Sequence, residues 1–419
     1  MSAPPVVIIG AGIIGACAAA YLQRDGRAVT LIDHGEPGMG ASFGNGGMFS
    51  ASSIIPVAMP GVVRKVPGWL MDSAGPLTIR WSYLPQLMPW LRRFVAASAQ
   101  HKVEAQARAL RALLGESLAN YAPIVRDAGA GHLVHAQGML YVYASDAAWQ
   151  RDALATNIRR RNGVGIEDIV GPALREMEPD LGPQVRRARL IRENGHTSDP
   201  HGLVKALIGH AVSRGARVLQ ERVIGFEDNG AQVTAVATEQ GLVHASHVVL
   251  AAGAWSKPLA AKLGDRLPLD TERGYHVVVG DPEKRPRTPM MYVDGNFGAI
   301  PMDMGLRLVG TVELAGLDAP PDWNRAALLM KQGRALFPGL AACADDDARI
   351  TRWLGFRPSM PDSLPVIGPS SKFANALYAF GHGHVGMCGG STTGRVIADL
   401  VAARGPAVPL EAFSARRFA

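Results

Sequence analysis

The most constraining stretch stands at the start of the chain. Val6-Val7-Ile8-Ile9 is a short β-branched run, and Gly10-Ala11-Gly12-Ile13-Ile14-Gly15 comes directly after it without a spare residue. Ala16 to Arg24 reads as a helix, and Ala28 to Ile32 as a second strand that ends at Asp33. Strand, glycine turn, helix and second strand in that order predict a βαβ unit. Gly10 permits the tight turn, Gly12 lets backbone approach a pyrophosphate, and Gly15 lets helix and strand pack closely. Unpaired N–H groups and the dipole at the helix start favour an anion there. Asp33 can accept hydrogen bonds from a ribose diol and disfavours a 2′-phosphate. The segment therefore predicts dinucleotide binding and points away from NADP.

A second glycine stretch selects the dinucleotide. Gly38 to Met48 is rich in glycine and small polar residues, where a nucleotide domain of the NAD type would continue with regular βα units. Such a loop can run past the pyrophosphate toward an isoalloxazine ring; the alternative is an ordinary surface loop. A third glycine-rich stretch, Gly381 to Gly390, lies between a strand at Ala376 to Gly381 and a helix at Ser391 to Ala402.

Composition sets the frame around these loops. At about 150 residues per domain, 419 residues suggest two or three domains, or a nucleotide domain with a second one inserted. With 47% hydrophobic and 19% charged residues, disordered, collagen-like and coiled-coil chains are excluded. Cys17, Cys343 and Cys388 form no CxxC pair, and no Cys/His cluster has zinc spacing, so neither a disulfide framework nor a metal site is expected. The apolar stretch Val6 to Ala20 lacks a basic leader, and no run reaches the roughly 18 residues of a membrane span. A cytoplasmic protein is expected. The net charge of +7 reads as a mildly basic surface, and without a basic-aromatic stripe no nucleic-acid partner is expected.

Residues 54–114 differ from the rest. They carry Trp69, Trp81 and Trp90, six prolines, and eight Lys and Arg between Arg64 and Arg111 against Asp72 and Glu104. One reading is peripheral docking on the inner, anionic face of a membrane. The other is a helical lid over the active site. Further on, strands are expected at 137–143, 217–219, 233–238, 243–250, 276–279, 290–293, 297–301 and 306–311. Helices are expected at 147–161, 200–214 and 323–336.

Nine stretches together resemble the FAD-dependent D-amino acid oxidase superfamily, nearest its bacterial D-amino acid dehydrogenases. They are VVIIGAGIIG (6–15), TLID (30–33), GASFGNGGM (40–48), DPHGLVKAL (199–207), VVLAAGAW (248–255), ERGYH (272–276), LVGTVE (308–313), FRPSMPDSLPVIG (356–368) and GHGHVGMCGGSTTG (381–394). The resemblance implies an α/β protein. A Rossmann-like FAD-binding domain of the glutathione-reductase type would comprise 1–53, 196–262 and 352–419. The inserted substrate domain, an antiparallel β-sheet plus helices with the lid, would take 54–195 and 263–351. FAD would lie extended, its AMP end on Gly10, Gly12, Ile13, Ile14 and Gly15 and its ribose on Asp33 and His34. Ala41 and Ser42 would hold the pyrophosphate region, with Gly46, Gly47 and Met48 on the ring side. The backbone of Val223 would meet the adenine. Gly381, His382, Gly383, His384, Val385, Gly386 and Met387 would meet flavin N1 and O2, where N–H groups stabilise negative charge.

The same resemblance assigns the substrate site. Arg357 matches the arginine that binds an amino acid carboxylate, a task suited to a planar bidentate cation. Tyr275 matches a region that contributes a polar contact. Arg273 is an alternative partner for the carboxylate, and His276, His382 and His384 are candidate bases better read as structural. The implied reaction moves the Cα–H as hydride to flavin N5 and electrons on to a quinone or other acceptor. The late loop departs from relatives that use D-alanine, which carry a threonine and a tryptophan after the glycines. That departure suggests a cyclic secondary amine such as D-proline or hydroxy-D-proline. Cys388 in this loop is either a buried small residue or a covalent flavin link. The competing readings are an oxygen-using enzyme like sarcosine or glycine oxidase, and a flavoprotein subunit of a heteromeric dehydrogenase.

Overall fold

The computed structural model describes residues 4–61, 75, 77–282, 285–344 and 346–419. Of the stretch read as lid or membrane dock, Arg64, Lys65, Pro67, Trp69, Asp72 and Pro76 lie outside these residues.

The N-terminal run forms the strand Val6–Ile9, every residue of it buried. It is flanked in parallel by Val29–Asp33 and His247–Leu250. Arg217–Gln220 extends the sheet on one side and Ala376–Phe380 on the other, both parallel, and Val366–Pro369 closes the far edge antiparallel. Continuous apolar strands of this kind need cover on both faces. The helices Ile13–Arg24, Pro200–Ser213 and Gly386–Val401 cover one face through Ile8, Leu31, Val249, Leu207 and Ile397. A three-stranded sheet (Val223–Asp228, Val233–Thr238, Gly241–His244) and the helix Ser256–Lys262 cover the other through Val7, Ile9, Val236 and Leu263.

A nine-stranded sheet stands beside this layer, in the order Ile350–Ser359, Asp270–Val279, Gly305–Leu314, Phe297–Met302, Met290–Tyr292, Met139–Tyr143, Arg187–Ile191 and Glu167–Val170. Leu77–Ile79 joins it alongside Gly305–Leu314. The sequence suggested antiparallel pairing throughout. Two pairs are parallel, Met290–Tyr292 with Met139–Tyr143 and Leu77–Ile79 with Gly305–Leu314, because distant chain segments meet there. The helix Asn324–Leu336 seals one face with Leu329, Met330 and Leu336 against Tyr275, Val277, Leu306 and Leu308. The opposite face looks toward the nucleotide-binding layer.

The last helix begins at Gly386, inside the glycine run, rather than at Ser391 as the glycines suggested. Tight packing explains the glycines. A side chain on Gly394 would come within 2.6 Å of the Cys17 backbone, and one on Gly390 within 2.8 Å of the Tyr121 hydroxyl. The first and last helices thus touch nearly backbone to backbone. Gly394→Ala should lower stability by about 1–3 kcal/mol through overpacking, read as a lower urea midpoint of the flavin-loaded protein. Gly209→Ala, a helical glycine with open space around it, should hold or raise the midpoint. Equal behaviour of the two variants would contradict the close-packing account.

Candidate active site

Three glycine loops converge on the space between the two layers. In the first, Gly10 has φ +108°, a left-handed conformation suited to glycine, and a side chain there would overlap the Ala251 carbonyl. A side chain on Gly15 would overlap the Gly10 carbonyl, so the helix sits directly on the turn. At Gly12 the nearest protein atom to an added Cβ is the Ser42 hydroxyl at 3.1 Å, which leaves a cradle above the loop. Ile13 N–H donates to Ser42 Oγ at 2.9 Å, and the N-cap residue Gly12 has no side chain to cap the helix itself. The N–H groups of Ile14 and Gly15 face the cradle as a helix N-terminus does. Ala41, half-buried beside Ser42, completes this corner.

Asp33 closes the ribose end. Its Oδ2 accepts from Ala11 N–H at 2.7 Å and its Oδ1 from Gly35 N–H at 3.1 Å, which leaves lone pairs for a diol. The exposed His34 ring lies beside Trp255, 5.9 Å between centroids. Glu221 N–H donates to Asp33 O, which carries the turn into Val223 to the same edge.

The second loop is held from below by Arg307, a residue the sequence did not single out. Its buried guanidinium donates to Asn45 O at 2.6 Å and Phe43 O at 3.2 Å, and burial pulls its pKa down to about 10. Gly47 sits at φ +66°, and its N–H donates to Asn45 Oδ1. Gly46 packs on Val309 and Met48, and Met48 enters a short pairing with His196. His276 Nδ1–H donates to Gly44 O at 3.1 Å, and the Trp353 ring stacks on His276 at 5.1 Å. Burial beside Arg307 lowers the His276 pKa to about 3, so this imidazole is neutral and structural.

The third loop is turned by Gly381 (φ +83°) and Gly383 (φ +53°). Gly383 N–H donates to Pro358 O at 2.7 Å, which ties the loop to the large sheet. His382 is buried with Nε2 against Thr393 Oγ1 at 2.9 Å, and burial holds its pKa at about 3. His384 is exposed into the cleft, its pKa lowered by desolvation among surrounding protein atoms. Val385, Gly386 and Met387 lead into the last helix, where the Met387 carbonyl accepts from Tyr121 at 2.6 Å. The Cys388 thiol points at Leu114 O, and burial raises its pKa to about 12.

A cleft opens beside the third loop, lined by Glu272, Ser359, Met360, His382, His384 and, on the other side, Ser53, Ile55, Val57 and Leu110. The segment Trp81–Ala97 is tied to its strands. Trp90 Nε1–H donates to Ser359 O at 3.3 Å, and Tyr83 O–H donates to Asp270 at 3.0 Å. Among the described residues, no helix is long and apolar enough to cross a membrane. Arg357 lies next to the cleft. Its guanidinium covers Gly274 and donates to Thr311 O at 3.0 Å and Gly310 O at 3.3 Å, and burial lowers its pKa against the opposing pull of Glu272. Gly274 and Gly355 face each other across the strand pair, and the Arg357 guanidinium and the Trp353 ring lie over them.

Tyr275 is not part of this cleft. Strand alternation puts Glu272, Gly274 and His276 on the inner face and Arg273 and Tyr275 on the outer. Tyr275 O–H donates to Glu313 at 2.6 Å and accepts from Asp322 N–H at 2.8 Å; burial and Glu313 raise its pKa to about 12. Arg273 is fully buried on that side, 3.4 Å from Glu313. Glu272, Gly274, Ser359 and Trp353 are the inner-face residues that sequence reasoning passed over. Period-two alternation from Glu272 was the available signal.

The cradle over Gly12, the acid at the second strand and the glycine loops packed against the large sheet are those of a flavoprotein oxidoreductase with a Rossmann-like layer. The chain matches the family model described as FAD dependent oxidoreductase (DAO) over residues 5–400, and it belongs to that family. FAD is its cofactor, and the residues of the three loops fit it. The chain is 42% identical over 416 residues to a D-amino-acid oxidase of Bradyrhizobium diazoefficiens, covering 99% of this chain and 98% of the relative. It is 31% identical to a D-amino acid dehydrogenase of Paramagnetospirillum magneticum at the same coverage. Among solved structures, it is similar in fold to an L-proline dehydrogenase from P. horikoshii (TM-score 0.74, 19% identity, covering 99% and 97% of the two chains). A glycine oxidase from Bacillus cereus gives a TM-score of 0.71 at 19% identity, covering 96% of each chain.

The two buried histidines give a pH prediction. Their folded pKa values of about 3 lie below the unfolded value of about 6.5, so the unfolded chain binds protons that the folded chain refuses. Their contribution is full above pH 6.5 and is lost as pH falls toward 3, at up to about 1.4 kcal/mol per pH unit for each. Urea unfolding between pH 7 and 4 should show this slope, and His276→Gln should flatten it. An unchanged slope in the variant would count against a neutral buried His276.

Proposed function

We propose that the protein oxidises the α-amine of D-amino acids to the imine, which water then hydrolyses. The observation that carries this reading is Arg357, a partly buried guanidinium beside a narrow cleft between the flavin loops and the lid. A planar fork there suits a substrate carboxylate, and the names of the full-length relatives support D-amino acids as the class. FAD, when bound, supplies the hydride acceptor. The chain's residues do the rest. Arg357 fixes the carboxylate and so points Cα. Leu110 and Ile55 exclude water from the lid side. Backbone N–H groups where the last helix begins stabilise charge.

The loop sequence GHGHVGMCGG supports a cyclic secondary amine such as D-proline or hydroxy-D-proline. For the electron acceptor, a quinone is our first reading, with 54–114 as its route to a membrane surface. Oxygen is the second, favoured by the 42% identical relative named an oxidase.

Anaerobic mixing of the yellow protein with D- and L-amino acids, D-proline, cis-4-hydroxy-D-proline and sarcosine tests the reading. Rapid bleaching by a D-amino acid is expected, and admitting air separates the acceptors by whether peroxide forms. Arg357→Ala should slow bleaching at low substrate by about 10- to 100-fold, as expected for a lost charged hydrogen bond. Bleaching that is unaffected by this substitution would remove Arg357 from the site.

A further inference from the structure

Glu272 and Arg357 are directly opposed across the two strands that wall the cleft. Glu272 is only 5% exposed, and it lines the cleft. Two largely buried opposite charges at that spacing would ordinarily pair, because an unpaired buried charge is costly. Here they do not. Arg357 donates to the Gly310 and Thr311 carbonyls, and the Glu272 carboxylate accepts from Ser359 Oγ–H at 2.6 Å on Oε1. Among the described residues no hydrogen bond reaches Glu272 Oε2. A cation and an anion thus stand side by side, each with capacity left over.

We propose that Glu272 is the amine-recognition residue of the cleft: it holds the substrate ammonium beside Arg357 and takes its proton. This rests on the amine-oxidation reading above. An amino acid zwitterion carries opposite charges on one carbon, so its two holders must be neighbours. Directly opposed strand residues have Cβ atoms about 4.5–5.5 Å apart. The pair Arg357 and Glu272 sums to zero charge, as the zwitterion does. A second substrate carboxylate would be repelled.

The proton step balances simply. An N–H bond of the ammonium breaks, an O–H bond forms on Glu272, and the electron pair stays on nitrogen, ready for the C=N bond. Nothing is oxidised in this step. The titratable and charged groups around Glu272 are Arg357 across the strand pair, Asp270 on its own strand, and His384 from the glycine loop. His382 also borders the cleft but is held by Thr393. Ser359 supplies the neutral hydrogen bond.

The test is anaerobic flavin reduction of the holoenzyme from pH 6 to 10, comparing wild type with Glu272→Gln and Glu272→Asp. The amide keeps an acceptor for Ser359, and the visible flavin spectrum checks cofactor binding. At neutral pH Glu272→Gln should reduce its flavin on the order of 100-fold more slowly, as for a lost general base. Its rate should then climb about tenfold per pH unit toward the amine's own pKa and approach wild type. Glu272→Asp should keep the wild-type profile at a lower rate. A uniform decrease in Glu272→Gln, with the wild-type pH profile, overturns the proposal and leaves the function standing. A Glu272→Asp profile like that expected of the amide also overturns it. A wild-type flavin that no amine reduces overturns both.

Discussion

The first and last helices meet where the last helix offers only glycines. Gly394 lies against the Cys17 backbone, and Gly390 under Tyr121. Close packing of this kind transmits position with little slack. It sets the start of the last helix, and with it the loop Gly381 to Met387, relative to the phosphate turn Gly10 to Gly15. The helix Ser117–Asp127 reinforces the register: Ser117 Oγ–H donates to Cys388 O, Tyr121 O–H to Met387 O, and Asn120 Nδ2–H to Thr392 Oγ1. Two loops from opposite ends of the chain are thereby held at a fixed position relative to each other.

The second constraint is the alternation of the strand Asp270–Val279. Its outer residues, Tyr275 and Val277, seal against the helix Asn324–Leu336. Its inner residues, Glu272, Gly274 and His276, are left for the site. The glycine in the middle makes room for the Arg357 guanidinium. His276 anchors the second loop through Gly44, and Arg307 from the next strand does so through Phe43 and Asn45. One sheet face therefore supports both the second glycine loop and the pair Glu272 and Arg357.

Much of the nucleotide-binding layer was legible in the sequence. Val6 to Asp33 carries its fold locally, since strand, turn and helix succeed one another in order and each glycine has a steric reason visible in the pattern. The strand at 376–380 was legible as a buried apolar run, whereas 243–250, read as one strand, is two, Gly241–His244 and His247–Leu250, in different sheets. The sidedness of the nine-stranded sheet was not. ERGYH holds a glutamate, an arginine, a tyrosine and a histidine within five residues, and only tertiary packing decides which alternate set faces the cleft. Tyr275 drew notice as a chemical type, yet its hydroxyl is committed to Glu313 and Asp322. Glu272 drew none, because a lone carboxylate in a strand has no local pattern that marks it. Arg307 escaped for a related reason: its partners are backbone carbonyls, which leave no sequence signature.

The central claim is that Arg357 and Glu272 together hold the amino acid beside the flavin loops. A crystal structure of the holoenzyme with a non-reacting α-amino carboxylate tests it most directly. The account predicts the carboxylate on the Arg357 fork and the ammonium within hydrogen-bonding distance of Glu272, with Tyr275 still bonded to Glu313. A ligand held by other residues, with Arg357 still on the Gly310 and Thr311 carbonyls, would contradict it.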